Sequence, residues 1–324
     1  MFGSVLEFID QHDSFLISGH VNPDGDCLGT EVALYHFLET MGKKVEILNA
    51  DARDPSFDFF DRHTPIGVHE AGTPLPEHEV HCLVDCHHLS RLGSVGKAAA
   101  ALDGVTRMVV DHHVGADCGD GEVLLWDLKA PSAGCLVYEL HRRAGAPLSV
   151  AAAEGVFVSI VADTGWFKYS NTTDEALAIA ADLVAAGVKP HHIYHDLYQR
   201  NPPSILPVKA EGLSKIRFEA DGRLAWVTLD KEYMRKVETS EFNTDALLDA
   251  MREVKGVEIV ALMKEKVTGR VKISLRGSDS QDVDKIANRF GGGGHHKASG
   301  AEQPGPLAHV KKAVLSACLE KLGV

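Results

Sequence analysis

Four apolar stretches in this chain run straight into acidic and imidazole side chains. SFLISGHVNPDGD carries His20, Asp24 and Asp26, and HCLVDC carries Asp85. RMVVDHH carries Asp111, His112 and His113, and VSIVADTG carries Asp163. Apolar runs that stop at charge predict strands whose ends line one edge of a sheet with carboxylates and imidazoles. Four or more carboxylates in one place repel each other, and divalent cations relieve that repulsion. Oxygen and imidazole donors with bridging carboxylates suit Mn²⁺ or Mg²⁺ better than a Cys-rich zinc site does. Two such ions a few ångströms apart hydrolyse phosphate esters.

The runs alternate with helical patterns. Strands are expected at 14–20, 44–50, 81–86 and 107–113. A helix is expected over 26–42, where Leu28, Val32, Tyr35 and Leu38 recur at spacings of three and four and Gly42 provides a stop. This alternation predicts an α/β fold with a doubly wound, mostly parallel sheet. Ligands of such sheets bind beyond the carboxyl ends of the strands, where these His and Asp residues fall. Helices follow at 132–145, 149–162 and 173–187, the last capped by Thr173. Residues 189–208 are rich in His and Pro and read as a connector with a short helix, Pro202 and Pro203 resisting regular structure. The expected layout is a first domain over 1–188 and a smaller α/β domain over 209–324. In the second, 222–230 reads as a strand and 243–254 as a helix capped by Asn243. A hairpin joined by VTG spans 257–278, a helix covers about 280–290, and an amphipathic tail runs from Leu307 to Leu322.

With 324 residues the chain has ample material for two cores. Its net charge of −13 argues against tight binding to long nucleic acid, which needs a basic surface. A small phosphorylated ligand in a locally basic pocket remains compatible. Six cysteines without zinc-finger spacing read as free thiols in a reducing cytoplasm. The N-terminal residues carry acids and lack a basic segment, so they do not read as a signal peptide. No apolar run approaches the roughly 18 residues of a membrane span.

Each motif also has a plain reading. HVNPDGD fits a turn with an Asp cap for the next helix, and Asp26 is placed to serve as both cap and ligand. Asp85 and Asp163 mean little alone, and His112 and His113 could be surface histidines. What unites them is their common position at element ends within one α/β unit. GGGGHH at 291–296 lacks the phase of a dinucleotide fingerprint. Gly292, Gly293 and Gly294 can bring backbone N–H groups against a phosphate or base, and His295 and His296 add side-chain donors. Arg276, on a strand leading to that run, is a candidate phosphate fork. His87 and His88 follow Asp85 with no spacing that assigns them a role. WFKYSNTT could touch a nucleobase or pack its rings in the core.

Taken together, these residues resemble the DHH phosphoesterase superfamily, named for the triplet present here as Asp111-His112-His113. HVNPDGD, the Asp85 strand and the Asp163 segment match its other motifs, and GGGGHHKASGA looks like the signature of the associated DHHA1 domain. The likeness covers essentially the whole chain and is greatest to the NrnA-type bifunctional oligoribonucleases and PAP phosphatases. It implies an active site in the cleft between the two domains and two Mn²⁺ ions there, with Mg²⁺ or Co²⁺ as substitutes. His20, Asp24 and Asp85 would hold one ion. Asp26, Asp85, His112 and Asp163 would hold the other, with Asp85 bridging. His113 would stabilise phosphoryl oxygens or assist the leaving group, and Asp111 would orient a histidine. Arg276, Gly292, Gly293, Gly294 and His295 would grip the substrate. The implied substrates are RNAs of two to four nucleotides, with pAp and linear or cyclic dinucleotides beside them, and neither long nucleic acid nor membrane as a partner. A homodimer is left open. The competing readings are a manganese-dependent inorganic pyrophosphatase and a nucleotide sensor with a dead site.

Overall fold

The computed structural model describes residues 1–115, 122–240 and 242–324; Cys118 lies outside them. The chain divides into two compact units, Met1–Arg200 and Asn201–Val324. In chain order the first unit contains α1 (Phe2–Asp10), β1 (Ser14–Ser18), α2 (Gly25–Thr40), β2 (Lys44–Asn49), β3 (Ile66–Val68), β4 (Val80–Val84), α3 (Gly93–Ala99), β5 (Thr106–Asp111) and β6 (Val123–Trp126). It continues with α4 (Ala133–Ala144), α5 (Val150–Asp163), α6 (Asp174–Ala185) and α7 (Pro190–Tyr198). The second unit contains α8 (Ile205–Ser214), β7 (Arg217–Glu219), β8 (Leu224–Leu229), α9 (Lys231–Ser240), α10 (Asp245–Arg252), β9 (Ile259–Glu265) and β10 (Arg270–Gly277). It ends with α11 (Asp284–Asn288), β11 (Gly293–His295), β12 (Ala298–Pro304) and α12 (Leu307–Leu322).

The first sheet has the order β3-β2-β1-β4-β5-β6, and every pair is parallel. Strand order reverses between β1 and β4, so the loops leaving those two strands part there and open a crevice at the carboxyl edge. β4 is buried at every position, as a central strand covered on both faces must be. The helix α2 is buried almost all round because α4 and α5 pack on it from beyond the sheet. Its contact with α5 is backbone on backbone: a Cβ added at Gly155 would lie 2.6 Å from the carbonyl oxygen of Gly29. That close approach, which only glycine permits, brings α5 within reach of the residues at the start of α2.

The second sheet is mixed, with the order β11-β12-β10-β9-β8-β7; β8 and β9 are parallel and the remaining pairs antiparallel. One face carries Ile259, Ala261, Val271, Ile273 and Leu275 against α11 and α12. The other carries Ala225, Val227, Leu229, Val260 and Leu262 against α8, α9 and α10.

Three local expectations are corrected. Asp163 ends a helix, α5, in agreement with the helix expected over 149–162 and against its grouping with the strand ends: VSIVAD is the last part of a 14-residue helix started by the Ser149 cap. Helix α2 is capped by Asp24, whose Oδ1 accepts from the N–H groups of Asp26 and Cys27, so Asp26 lies inside the first turn and is free for another role. The N-cap of α10 is Thr244, which makes no side-chain cap bond, while Asn243 just before it accepts from the N–H of Asp245 at 2.9 Å, the bond a capping side chain makes.

Candidate metal centre

Each acidic or imidazole side chain at the carboxyl edge is aimed by a specific neighbour. His20 lies two residues beyond β1, and its Nδ1 faces the carbonyl of Val21 at 2.9 Å. Donation from Nδ1 leaves Nε2 free to point at Asp85 Oδ2, 3.3 Å away, and Asp24 Oδ1, 3.8 Å away. His112 is built the same way: Nδ1 meets the carbonyl of Ala130 at 3.0 Å. Its Nε2 faces Asp163 Oδ2 at 3.2 Å, Asp26 Oδ2 at 3.3 Å and Asp85 Oδ1 at 3.6 Å.

Asp85 adopts φ +54°, a left-handed conformation that costs a non-glycine residue energy and is found where function holds it. Its N–H still bonds the carbonyl of Val110 at 2.9 Å, so the turn begins from a fixed point. The result is a carboxylate with one oxygen toward His20 and the other toward His112. Two non-overlapping ligand sets follow, His20-Asp24-Asp85 and Asp26-His112-Asp163, each with donor atoms within 4.8 Å of one another. A third set, Asp85-His112-His113, overlaps both.

The donor set fits divalent cations on two observations. Asp85 Oδ1 and His112 Nε2 are buried and make no hydrogen bond among the described residues, an arrangement native proteins rarely leave unmet. The protonation balance points the same way. Burial, then the charges of Asp26 and Asp24, push the Asp85 carboxyl well above its ordinary range. Burial and then Asp26 raise Asp163 to about 6. Burial would lower the His112 imidazole, but Asp163 and Asp26 outweigh it and raise it to about 12. These shifts describe a site that holds protons where dications would neutralise the same carboxylates.

Asp26 is the exception, because the protein satisfies it. Burial would raise its pKa, yet contacts from His112, Ser159 and the Ala133 N–H hold it below the ordinary value. Oδ1 accepts from Ser159 Oγ at 2.6 Å and Thr30 Oγ1 at 3.0 Å, and Oδ2 from Ala133 N at 3.0 Å. Ser159 Oγ also lies 2.7 Å from Ser132 Oγ. The start of α4 and the middle of α5 thus hold a fully buried ionised carboxylate.

Asp111 and His113 sit beside the ligand sets. Asp111 Oδ1 accepts from His113 Nδ1 at 2.8 Å and from the N–H groups of His112 and His113 at 2.7 and 3.0 Å. Its Oδ2 accepts from His87 Nδ1 at 2.6 Å. Burial opposes ionisation of Asp111, but His113 and His87 prevail and hold it below the usual range. Burial likewise opposes the His113 imidazolium, and Asp111 and Asp85 raise it regardless. His113 remains one-third exposed.

Sequence reasoning missed several supporting residues. His87 follows Asp85 within reach of the site but with no role its spacing assigns, and its bond to Asp111 ties the Asp85 turn to the DHH turn. Ser132, Ser159 and Thr30 are hydroxyls near or within helices, with no spacing signal. Asn49, at the end of β2, accepts from Gly19 N–H at 2.9 Å and donates to Glu31 Oε2 at 2.9 Å, fixing the start of the His20 loop. Burial raises Glu31 to about 8, so this carboxyl is a neutral structural partner near neutral pH.

In the second unit the glycine run is an edge strand. Gly293–His295 pairs with β12, and a Cβ at Gly294, where φ is +151°, would lie 2.6 Å from the carbonyl oxygen of Ala298. A Cβ at Gly292 would lie 2.0 Å from the carbonyl oxygen of Gly300 and 2.6 Å from Ala301. Ala298 is the cross-strand partner of both Arg276 and His295, so those two side chains share one row and one face. Arg276 donates from Nη1 to the carbonyl of Leu275 at 3.1 Å. The rings of Trp166 and Phe167 pack in the first unit, Trp166 edge-on to Phe157 and Tyr194.

With this geometry in hand, known proteins give a consistent match. The model of the DHH family, N-terminal domain, matches residues 14–188, and the DHHA1 domain model matches residues 233–322. The chain is 29% identical over 310 residues to a Thermus thermophilus protein described as the bifunctional oligoribonuclease and PAP phosphatase NrnA, covering 94% of this chain and 89% of that one. A Bacillus subtilis protein of the same description is 25% identical over 304 residues, covering 92% and 91%. The crystal structure of an exopolyphosphatase-related protein from Bacteroides fragilis shares the fold, with a TM-score of 0.86 and 24% identity over 98% of this chain and 95% of that one.

Proposed function

This chain belongs to the DHH family, and from that premise we propose that it is a metal-dependent phosphodiesterase of very short RNA that also dephosphorylates pAp. The observation that carries this reading is Asp85, one oxygen on each of two ligand sets, with Oδ1 making no hydrogen bond among the described residues although His112 and His113 lie 3.6 and 3.4 Å away. The activities named for the Thermus and Bacillus relatives support the substrate class. The proposed occupants are two Mn²⁺ ions, because two imidazoles among the carboxylates soften the site relative to an all-oxygen Mg²⁺ site. His20, Asp24 and Asp85 would hold one ion, and Asp26, Asp85, His112 and Asp163 the other. Bound there, the ions supply positive charge to the phosphoryl group and a nucleophile at neutral pH.

The protein's own groups do the rest. Val21 and Ala130 fix the His20 and His112 rings with Nε2 inward. Asp111 keeps His113 charged and oriented, so that His113 can donate to a phosphoryl oxygen or to the leaving oxygen. Arg276, His295 and the glycine strand are assigned to the far end of the substrate, with Arg276 as the phosphate fork. Linear and cyclic dinucleotides belong to the same substrate class.

A product time course tests this directly. Purified protein with Mn²⁺ is offered RNAs of two to about ten nucleotides, pAp, cyclic dinucleotides and pyrophosphate in parallel. Mononucleotides released fastest from the shortest RNAs, together with AMP from pAp, are the expected result. Fast hydrolysis of pyrophosphate alone would replace this reading with the pyrophosphatase, and inertness toward the whole panel would favour the sensor.

A further inference from the structure

One face of the second sheet carries more positive charge than an anchoring Arg276 explains. Cross-strand partners share a face, so register places Arg276 beside Val260 and Ala298, Ser274 beside Leu262 and Gly300, and Lys272 beside Lys264 and Glu302. Val260 and Leu262 are covered by helices α8 to α10. Toward β10 and β12 the same face turns polar and basic, with Lys264, Lys266, Arg270, Lys272 and Arg276 against the single carboxylate of Glu302. Glu302 is taken by Lys266 and Arg270.

The other three cations make no ion pair with a carboxylate among the described residues, although the charge of Asp245 at the start of α10 reaches Lys264. Lys264 Nζ donates to the neutral hydroxyl of Thr244 at 3.2 Å, and Arg276 to a backbone carbonyl. Lys272 is exposed. Burial, then the charge of Lys272, holds the half-buried Lys264 ammonium below its ordinary pKa, and the opposing charge of Asp245 does not restore it. In a chain of net charge −13, three cations that make no ion pair on one sheet face mark a local exception. The row between them holds Ser274, Gly300 and Gly293, so little side-chain bulk stands between the charges. Lys272 is four residues from Arg276 along the strand, about 13 Å between backbones at the rise of a β-strand, a gap that extended side chains shorten.

We infer that Lys264 and Lys272 form a second phosphate subsite beside the Arg276–His295 row. This inference rests on the proposed reading that Arg276 grips the substrate. Its ligand is the phosphate adjoining the gripped nucleotide. That phosphate is either the terminal phosphate of a phosphorylated end, as in pAp or pApA, or the next phosphodiester of a longer strand, as in ApApA.

The test compares ApA, pApA and ApApA as substrates of the full-length Mn²⁺-loaded protein. The variants are Lys272→Ala, Lys264→Met, Lys264→Arg, the Lys264→Met/Lys272→Ala double variant and Arg276→Ala. Losing a charge-assisted contact predicts that the double variant lowers the kcat/KM ratio of pApA or ApApA to ApA about tenfold. A fall confined to pApA identifies the terminal phosphate, and a fall confined to ApApA the internal one. Lys264→Arg restores the ratio, and Lys272→Ala, at an exposed position, gives a partial fall without disturbing the fold. Calorimetry of pAp against AMP, on metal-free protein, shows the same loss in the double variant, with a shallower salt dependence. Ratios unchanged in the double variant, while Arg276→Ala still weakens all three substrates, overturn the subsite and leave the proposed function standing. Wild-type rates in Arg276→Ala overturn the assignment of this sheet to substrate altogether.

Discussion

The edge of the first sheet and the open face of the second solve opposite electrostatic problems. At the first, carboxylates are buried and crowded, and the protein positions them with backbone carbonyls, hydroxyls and a helix start. At the second, cations stand on a half-open face beside glycine backbone, with little to hold them. The buried site is thus prebuilt for cations and tolerates little change, whereas the open face is adjustable and suits the choice of anionic substrate. Substitutions in the first should abolish chemistry or metal binding, and those in the second should redistribute preference among substrates.

The largest effect is expected at Asp85. Asp85→Asn keeps the shape and removes the charge shared by both ligand sets, and turnover should fall about 10³-fold or more. His113→Ala should cost about 10²-fold in kcat with metal content unchanged, the scale of one lost charge-stabilising donor. Equal metal depletion in both variants, measured by elemental analysis, would erase the distinction between ligand and neighbour.

Ser159→Ala removes one donor from Asp26 Oδ1, and metal affinity should weaken about tenfold, the lower end of what an outer hydrogen bond to a ligand is worth. Calorimetric Mn²⁺ affinity equal to wild type would show that Thr30 and Ala133 suffice. His87→Ala should cost a few-fold in kcat, and His87→Asn, whose amide can still donate to Asp111, should recover most of it. Identical rates in the two variants would mean that the tie between the Asp85 turn and the DHH turn is idle.

Stability against pH sharpens the contrast further. Asp163 has its folded pKa raised to about 6 from an ordinary 3.8, so the folded state holds its proton more tightly than the unfolded chain. Stability of the metal-free protein therefore falls as pH rises through that interval. The raised His112 adds stability that is fully present below pH 6.5 and is lost as pH rises toward about 12. Mn²⁺ competes with these protons, so the rise in Tm on adding Mn²⁺ should grow from pH 5 to pH 8. A rise independent of pH would show that the ions bind elsewhere.

Much of the first site was legible because strand ends are legible. Apolar runs that stop at Asp or His fix both the strand and the edge on which the polar group stands. Asp163 joined the site by a different route, since α5 delivers it from a helix end, and an apolar Val-rich run does not distinguish strand from buried helix. Ser159 was invisible because its role depends on Gly29 and Gly155 letting two helices touch, a contact between distant segments. His87 was visible as a residue but not as a partner of Asp111, which lies on the neighbouring strand. In the second unit the glycine run suggests backbone held against a phosphate or base, and its close packing on β12 makes it an edge strand. The basic face depends on the register of β9, β10 and β12, which pairs Lys264 with Lys272 although neither is remarkable in its own segment.

The central claim is that Asp85 joins two cation sites in one unit of the chain. Its most direct test is Mn²⁺ binding to the metal-free protein, followed by calorimetry for stoichiometry and by electron paramagnetic resonance for coupling between ions. The account predicts two Mn²⁺ per chain with an exchange-coupled spectrum in the wild type, and loss of both coupling and at least one ion in Asp85→Asn. A single uncoupled ion in the wild type, or a coupled pair that survives Asp85→Asn, would contradict it.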